Sequence, residues 1–153
     1  MRLYSIRQRS TALAYVRRLA LGHNAESTMM ATVVPARRAV PMMQVDSFSA
    51  LPFGGNPAVV VLEASGLAEE ELPRVAAELR APGTAFVFPP DTVGTDRRIP
   101  VFTPGREVSY SGHTTLAAAH ALLETGIASS HMVLATGVGP VEIEVELEGS
   151  TRA

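Results

Sequence analysis

The chain has 153 residues, no cysteine, 46% hydrophobic and 18% charged residues, and a net charge of −2. That length supports one modest core, and the missing thiols exclude disulfides, zinc-thiolate sites and cysteine nucleophiles. No stretch reaches the roughly 18 uninterrupted apolar residues of a membrane span, because the longest runs are broken by Arg17 and Arg18 or by Glu63.

Charge divides the chain at about residue 41. Residues 1–41 carry seven arginines and one acid, Glu26, for a net of +6, whereas the remainder nets −8. No lysine occurs anywhere, which points to a coding bias toward arginine more than to a nucleic-acid surface. Residues 1–41 show no sustained period apart from a short amphipathic patch at 13–21. They are expected to be a basic, disordered extension, or residues upstream of a true start at Met42 or Met43. A transit peptide shares this composition. A secretory signal is disfavoured, since no clean apolar stretch precedes a small-residue cleavage site. Residues 42–153 are expected to form a single domain.

Within that domain "MQVDSF" alternates as a strand, "SALPFGGNP" is dense in turn formers, and "AVVVLEA" reads as a buried β-branched strand. The segment "LAEEELPRVAAELR" places Leu67, Leu72, Val75, Ala76 and Leu79 at helical spacing, with Pro73 positioned to kink or delay the helix. Two further strands are expected in "TAFVFPP" and "RRIPVFTP". A helix follows from about His113 to Glu124, apolar on every side and therefore buried, with Gly126 as its stop. "HMVLAT" and "GPVEIEVELEG" complete the series. In the last, Val141, Ile143, Val145 and Leu147 alternate with Glu142, Glu144, Glu146 and Glu148, the mark of a half-exposed antiparallel strand. The order of elements suits an α+β domain with a curved sheet packed round one helix.

Directly ahead of the alanine-rich helix stands the polar step Ser111-Gly112-His113-Thr114-Thr115. A buried helix encloses its own N-terminus, whose first N–H groups need acceptors. Ser111 is the N-cap candidate, and Gly112 leaves a ligand room to reach the backbone. A small carboxylate bound there would meet the orphan donors and the positive end of the dipole, with His113 beside it as a proton carrier or hydrogen-bond donor. The competing reading is structural: Ser111 merely caps and His113 merely completes a hydrogen bond. His120, seven residues on and about 10 Å along the helix, reads as a satisfied core histidine. No H-x-x-x-H pair supports a metal site, and neither "GVGP" nor "FGGNP" completes a nucleotide loop.

The ordered series D-x-F, P-F-x-G-N-P, T-A-F-V, F-T-P and G-H-x-T-L-A-x-A-H, spread over residues 43–145, resembles the phenazine-biosynthesis isomerase (PhzF-like) family of the diaminopimelate epimerase and proline racemase superfamily. The resemblance implies a diaminopimelate epimerase-like half: a curved, mostly antiparallel sheet wrapped around a central buried helix, with the site in a cleft between two such halves. It implies a cofactor-independent, cytoplasmic isomerase or epimerase of specialised metabolism that moves a proton on a small carboxylate-bearing substrate. Carried over by position, His113 and Ser111 are the catalytic candidates, Ser111 standing where racemase relatives have a cysteine. Gly112, Thr114, Asn56, Gly83 and Thr84 are the substrate-binding candidates. The sequence departs from the family where an acid/base glutamate precedes T-A-F-V, for Gly83 stands there. Glu78 matches a different family position, and Pro73 and Pro82 fall where the family continues helix or turn.

The motifs cover one half of the family fold, so two copies are expected to meet as a homodimer and bring two Ser111-Gly112-His113 steps to one cleft. An alternative is a catalytically lapsed half-domain that keeps a carboxylate pocket as a small-molecule binder or partner subunit; Gly83 favours it. A nucleic-acid partner has only the basic leader in its support, and no metal, nucleotide cofactor or membrane partner is expected.

Overall fold

The computed structural model describes residues 4–7, 39–49 and 53–146. The elements in chain order are β1 (Tyr4–Arg7), β2 (Met42–Ser47), β3 (Asn56–Val61), a 3₁₀ turn at Glu69–Glu71, α1 (Leu72–Leu79), β4 (Thr84–Phe86), β5 (Arg97–Arg98), β6 (Val101–Thr103), β7 (Arg106–Val108), α2 (Gly112–Glu124), β8 (His131–Thr136) and β9 (Gly139–Glu146).

They form a five-stranded sheet, β2-β3-β4-β6-β7, and a four-stranded sheet, β1-β9-β8-β5. Pairing is antiparallel at β2/β3, β4/β6, β6/β7 and β8/β9, and parallel at β1/β9, β3/β4 and β5/β8. The two sheets are stitched where β4 runs on: Phe88 bridges Arg98, and the Ile99 N–H donates to the Ala135 carbonyl at 2.9 Å.

Helix α2 is the centre of the domain. Its Ala117, Ala118, Ala119, Ala121 and Leu122 pack into one cluster with Val45, Ala58, Val60, Ala85 and Val87 of the five-stranded side, and with Ile99, Met132, Leu134 and Ile143 of the other. Alanine is what lets both sheets close on one helix, since a longer side chain would hold the strands away. The opposite face of the five-stranded sheet carries Val61, Phe86, Phe88 and Phe102, covered by Leu72 and Ala76 from α1 and its entry. Phe86 and Phe102 meet edge to face with centroids 5.5 Å apart. The period-two alternation of β3 thus feeds two cores, Ala58 and Val60 toward α2 and Val61 toward α1.

Pro73 delays the first helix, as its position implies. The acidic run Glu69–Glu71 is a 3₁₀ turn, and the α-helix begins at Leu72 with Pro73 in its first turn, where no N–H is needed. The Glu71 carboxylate accepts the Ala68 N–H at 2.8 Å, and Glu69 pairs with Arg98 at 2.6 Å, tying the turn to β5. The expected strand "RRIPVFTP" is divided by Pro100 into β5 and β6, which join different sheets. β7 was not expected; it is the short return of a hairpin, with Thr103 opposite Arg106. Tyr4–Arg7, inside the stretch expected to be an unstructured extension, runs as a strand along the open edge of β9. Residues 8–38 of that stretch lie outside the described residues. Among the described residues, no helix is long and apolar enough to cross a membrane.

Candidate active site

The N-terminus of α2 gathers the sequence-predicted polar step at one point. Ser111 is the N-cap by backbone geometry, extended at φ −147° and ψ 112°, and its carbonyl accepts the Thr115 N–H at 2.9 Å. Its side chain does not cap. The Ser111 hydroxyl turns instead to His113 Nδ1 at 3.1 Å and to Thr114 Oγ1 at 2.9 Å. Thr114 Oγ1 lies 3.2 Å from His113 Nε2. Both ring nitrogens therefore have a hydroxyl partner, which suits a neutral imidazole with one donor and one acceptor. Burial pushes the His113 pKa below its ordinary value of 6.5 by penalising the charged form.

The backbone around this cluster is pinned from two directions. Ser47, at the end of β2, donates its hydroxyl to the His113 carbonyl at 2.8 Å. Gly137, in the β8–β9 turn, packs so tightly on Ser109 that a Cβ there would lie 2.7 Å from Ser109 Cα. The approach to α2 is thereby fixed just ahead of the step. At Gly112 the side is open, with nothing within 4 Å of where a Cβ would stand. The first turn thus offers uncapped N–H groups beside free space, the arrangement that receives an anion.

The remaining candidates divide. Gly83 lies against Thr114 and His113, and a Cβ on it would overlap Thr114 Oγ1 and approach His113 Nε2 to 3.0 Å. Thr84 and Thr114 are both fully buried, and the Thr84 hydroxyl has no partner among the described residues. Asn56 opens β3 opposite Ser47, which places it at the same end of the sheet as His113. His120 sits at the margin of the core, 24% exposed, and is satisfied by Glu124 at 3.1 Å one turn on. Ser47 was missed by residue-level reading, although it sits inside the quoted "VDSF". Its signal was a hydroxyl on the inward phase of a strand, 5% exposed beside Met43 and Val45. No group of three or more metal-ligating side chains occurs among the described residues.

Comparison with known proteins identifies the family and the fold. The family model described as phenazine biosynthesis-like protein matches residues 45–153. An uncharacterized isomerase of Clostridium acetobutylicum is 37% identical over 105 residues, which cover 68% of this chain and 35% of that protein. The trans-2,3-dihydro-3-hydroxyanthranilate isomerase of Pseudomonas chlororaphis is 32% identical over 107 residues, covering 70% of this chain and 38% of its own. Among solved structures, a phenazine biosynthesis protein of the PhzF family from Bacillus anthracis superposes with a TM-score of 0.65 at 33% identity, over 72% of this chain and 37% of that one. The chain spans little more than a third of the length of these relatives. With a curved α+β half closed round one alanine-rich helix, and a family match running from β2 through that helix to β9, the chain belongs to the phenazine biosynthesis-like protein family.

Proposed function

We propose that this chain is a proton-transfer isomerase acting on a small carboxylate-bearing substrate, without a metal or nucleotide cofactor. The observation that carries the reading is the N-terminus of α2. Its first turn has no side-chain cap, its flank at Gly112 is open, and a neutral His113 stands beside it. The substrate carboxylate accepts the free N–H groups and meets the positive end of the helix. His113 is uncharged near pH 7; when substrate enters, its unprotonated ring nitrogen gives up the hydroxyl that donates to it, takes a proton from the carbon beside the carboxylate and returns a proton elsewhere on the same skeleton. Substrate chemistry of this class fits the relatives named as trans-2,3-dihydro-3-hydroxyanthranilate isomerases.

Two copies complete the cleft. Phe48 directly follows Ser47 and Phe53 lies five residues further on; they are 71% and 82% exposed, large apolar surface next to the site. Pairing about a two-fold axis would cover it and set two His113 rings across one substrate.

A second reading, a binding module without turnover, is favoured by Gly83, which leaves no carboxylate on the strand entry beside His113. His113→Ala separates the two. The isomerase reading predicts that turnover falls at least about a hundredfold while carboxylate binding by the helix N-terminus persists. Carboxylate binding by the parent chain with no turnover of any small amino or hydroxy acid would leave the binding module standing.

A further inference from the structure

Gly83 and Thr114 occupy one space between them. Thr114 is fully buried on α2, and its hydroxyl sits where a side chain at residue 83 would begin. A Cβ at 83 would overlap Thr114 Oγ1, lie 3.2 Å from Thr114 Cβ and lie 3.0 Å from His113 Nε2. The strand side cannot retreat. The Gly83 carbonyl accepts the Val59 N–H at 2.9 Å, and the next residue, Thr84, is paired with Val59 on one side and Phe102 on the other.

We infer that Gly83 and Thr114 form a steric lock that sets the His113 ring: the absent side chain at 83 admits the Thr114 hydroxyl, which with Ser111 holds both ring nitrogens. Hydrogen-bond counting supports the assignment. Nε2–H donates to the Thr114 oxygen, Thr114 O–H to the Ser111 oxygen and Ser111 O–H to Nδ1, or the whole circuit runs in reverse. Each hydroxyl then donates once and accepts once, and the neutral imidazole uses its single donor and single acceptor. Thr114 is in this assignment a positioning residue that acts through His113, and Gly83 is its necessary complement. The lock does not depend on whether the chain turns over a substrate.

The test is ring nitrogen and carbon NMR of His113 in the full chain, assigned among its four histidines with His113→Gln, together with denaturant unfolding. Thr114→Ser should keep the parent ring signature, while Thr114→Val, which removes the hydroxyl at nearly constant volume, should change it. Gly83→Ala should move the His113 resonances and lower the folding constant about tenfold or more, the usual scale of an overpacked core. In the Thr114→Ala background the same change should cost several-fold less, because the methyl at 83 enters the vacated space. Additive costs at 83 and 114 would overturn the lock, as would an unchanged His113 signature in Thr114→Val. The 83/114 cycle decides the question even where Thr114→Val does not fold. None of these readouts uses turnover, so their failure is distinct from failure of the isomerase reading.

Discussion

His113 owes its chemistry to what surrounds it. Desolvation holds its pKa below 6.5, so the folded chain binds a proton there less readily than the unfolded chain does. The sign follows by linkage: stability is unaffected by this group above the unfolded value, falls as pH drops through 6.5, and levels off below the folded pKa. Catalysis inherits the same shift. The acid limb of a pH–rate profile for the free enzyme should bend below pH 6.5, and a limb at or above that value would show that the ring is not desolvated in the working state. At this scale the sequence was half legible. Ser111, Gly112 and His113 could be named from a polar step in front of an apolar run. The Ser47 hydrogen bond and the Gly83–Thr114 contact could not, for they join positions separated by 66 and 31 residues, and only the folded register brings them together. Ser111 is the N-cap its position implies, yet its hydroxyl does not cap, because two nearby side-chain partners compete with the backbone N–H groups.

Among the elements, α2 carries the most constraint. Its alanines are buried against both sheets at 0% to 1% exposure, so added volume has nowhere to go. Ala118→Leu should cost about 1–3 kcal/mol of stability, read as a lower denaturant midpoint with an unchanged slope; a neutral effect would show that the sheets are not closed on the helix. The helix was legible because its alanines and leucines recur on nearly every side, which only a largely buried helix tolerates. Pro73 was legible too, since proline's missing N–H restricts it to the first turn and sets the α-helix start at Leu72. The short pieces were not. β5 has two residues and β7 three, too few for alternation to register, and they exist as strands only because Leu134 and Val101 lie in register beside them. Tyr4–Arg7 belongs to the same class, a strand by virtue of the β9 edge it follows.

Over the whole molecule, the ordered motifs from β2 to α2 placed the chain in its family, while assembly was left to inference from one exposed, partly aromatic margin at Phe48 and Phe53. Light scattering of the full chain across a concentration range should give twice the chain mass, and Phe53→Ser should shift the population toward monomer. A monomer at every concentration would rule out a cleft shared between two copies. The measurement that bears most directly on the central claim is solvent isotope exchange. With the parent chain in deuterated buffer, trans-2,3-dihydro-3-hydroxyanthranilate and a panel of small amino and hydroxy acids should include a compound that gains deuterium at carbon near its carboxylate. That gain should be lost in His113→Ala while the fold is retained. Exchange no faster than in buffer for every compound, or equal exchange by parent and His113→Ala, would contradict proton transfer by His113 at the head of α2.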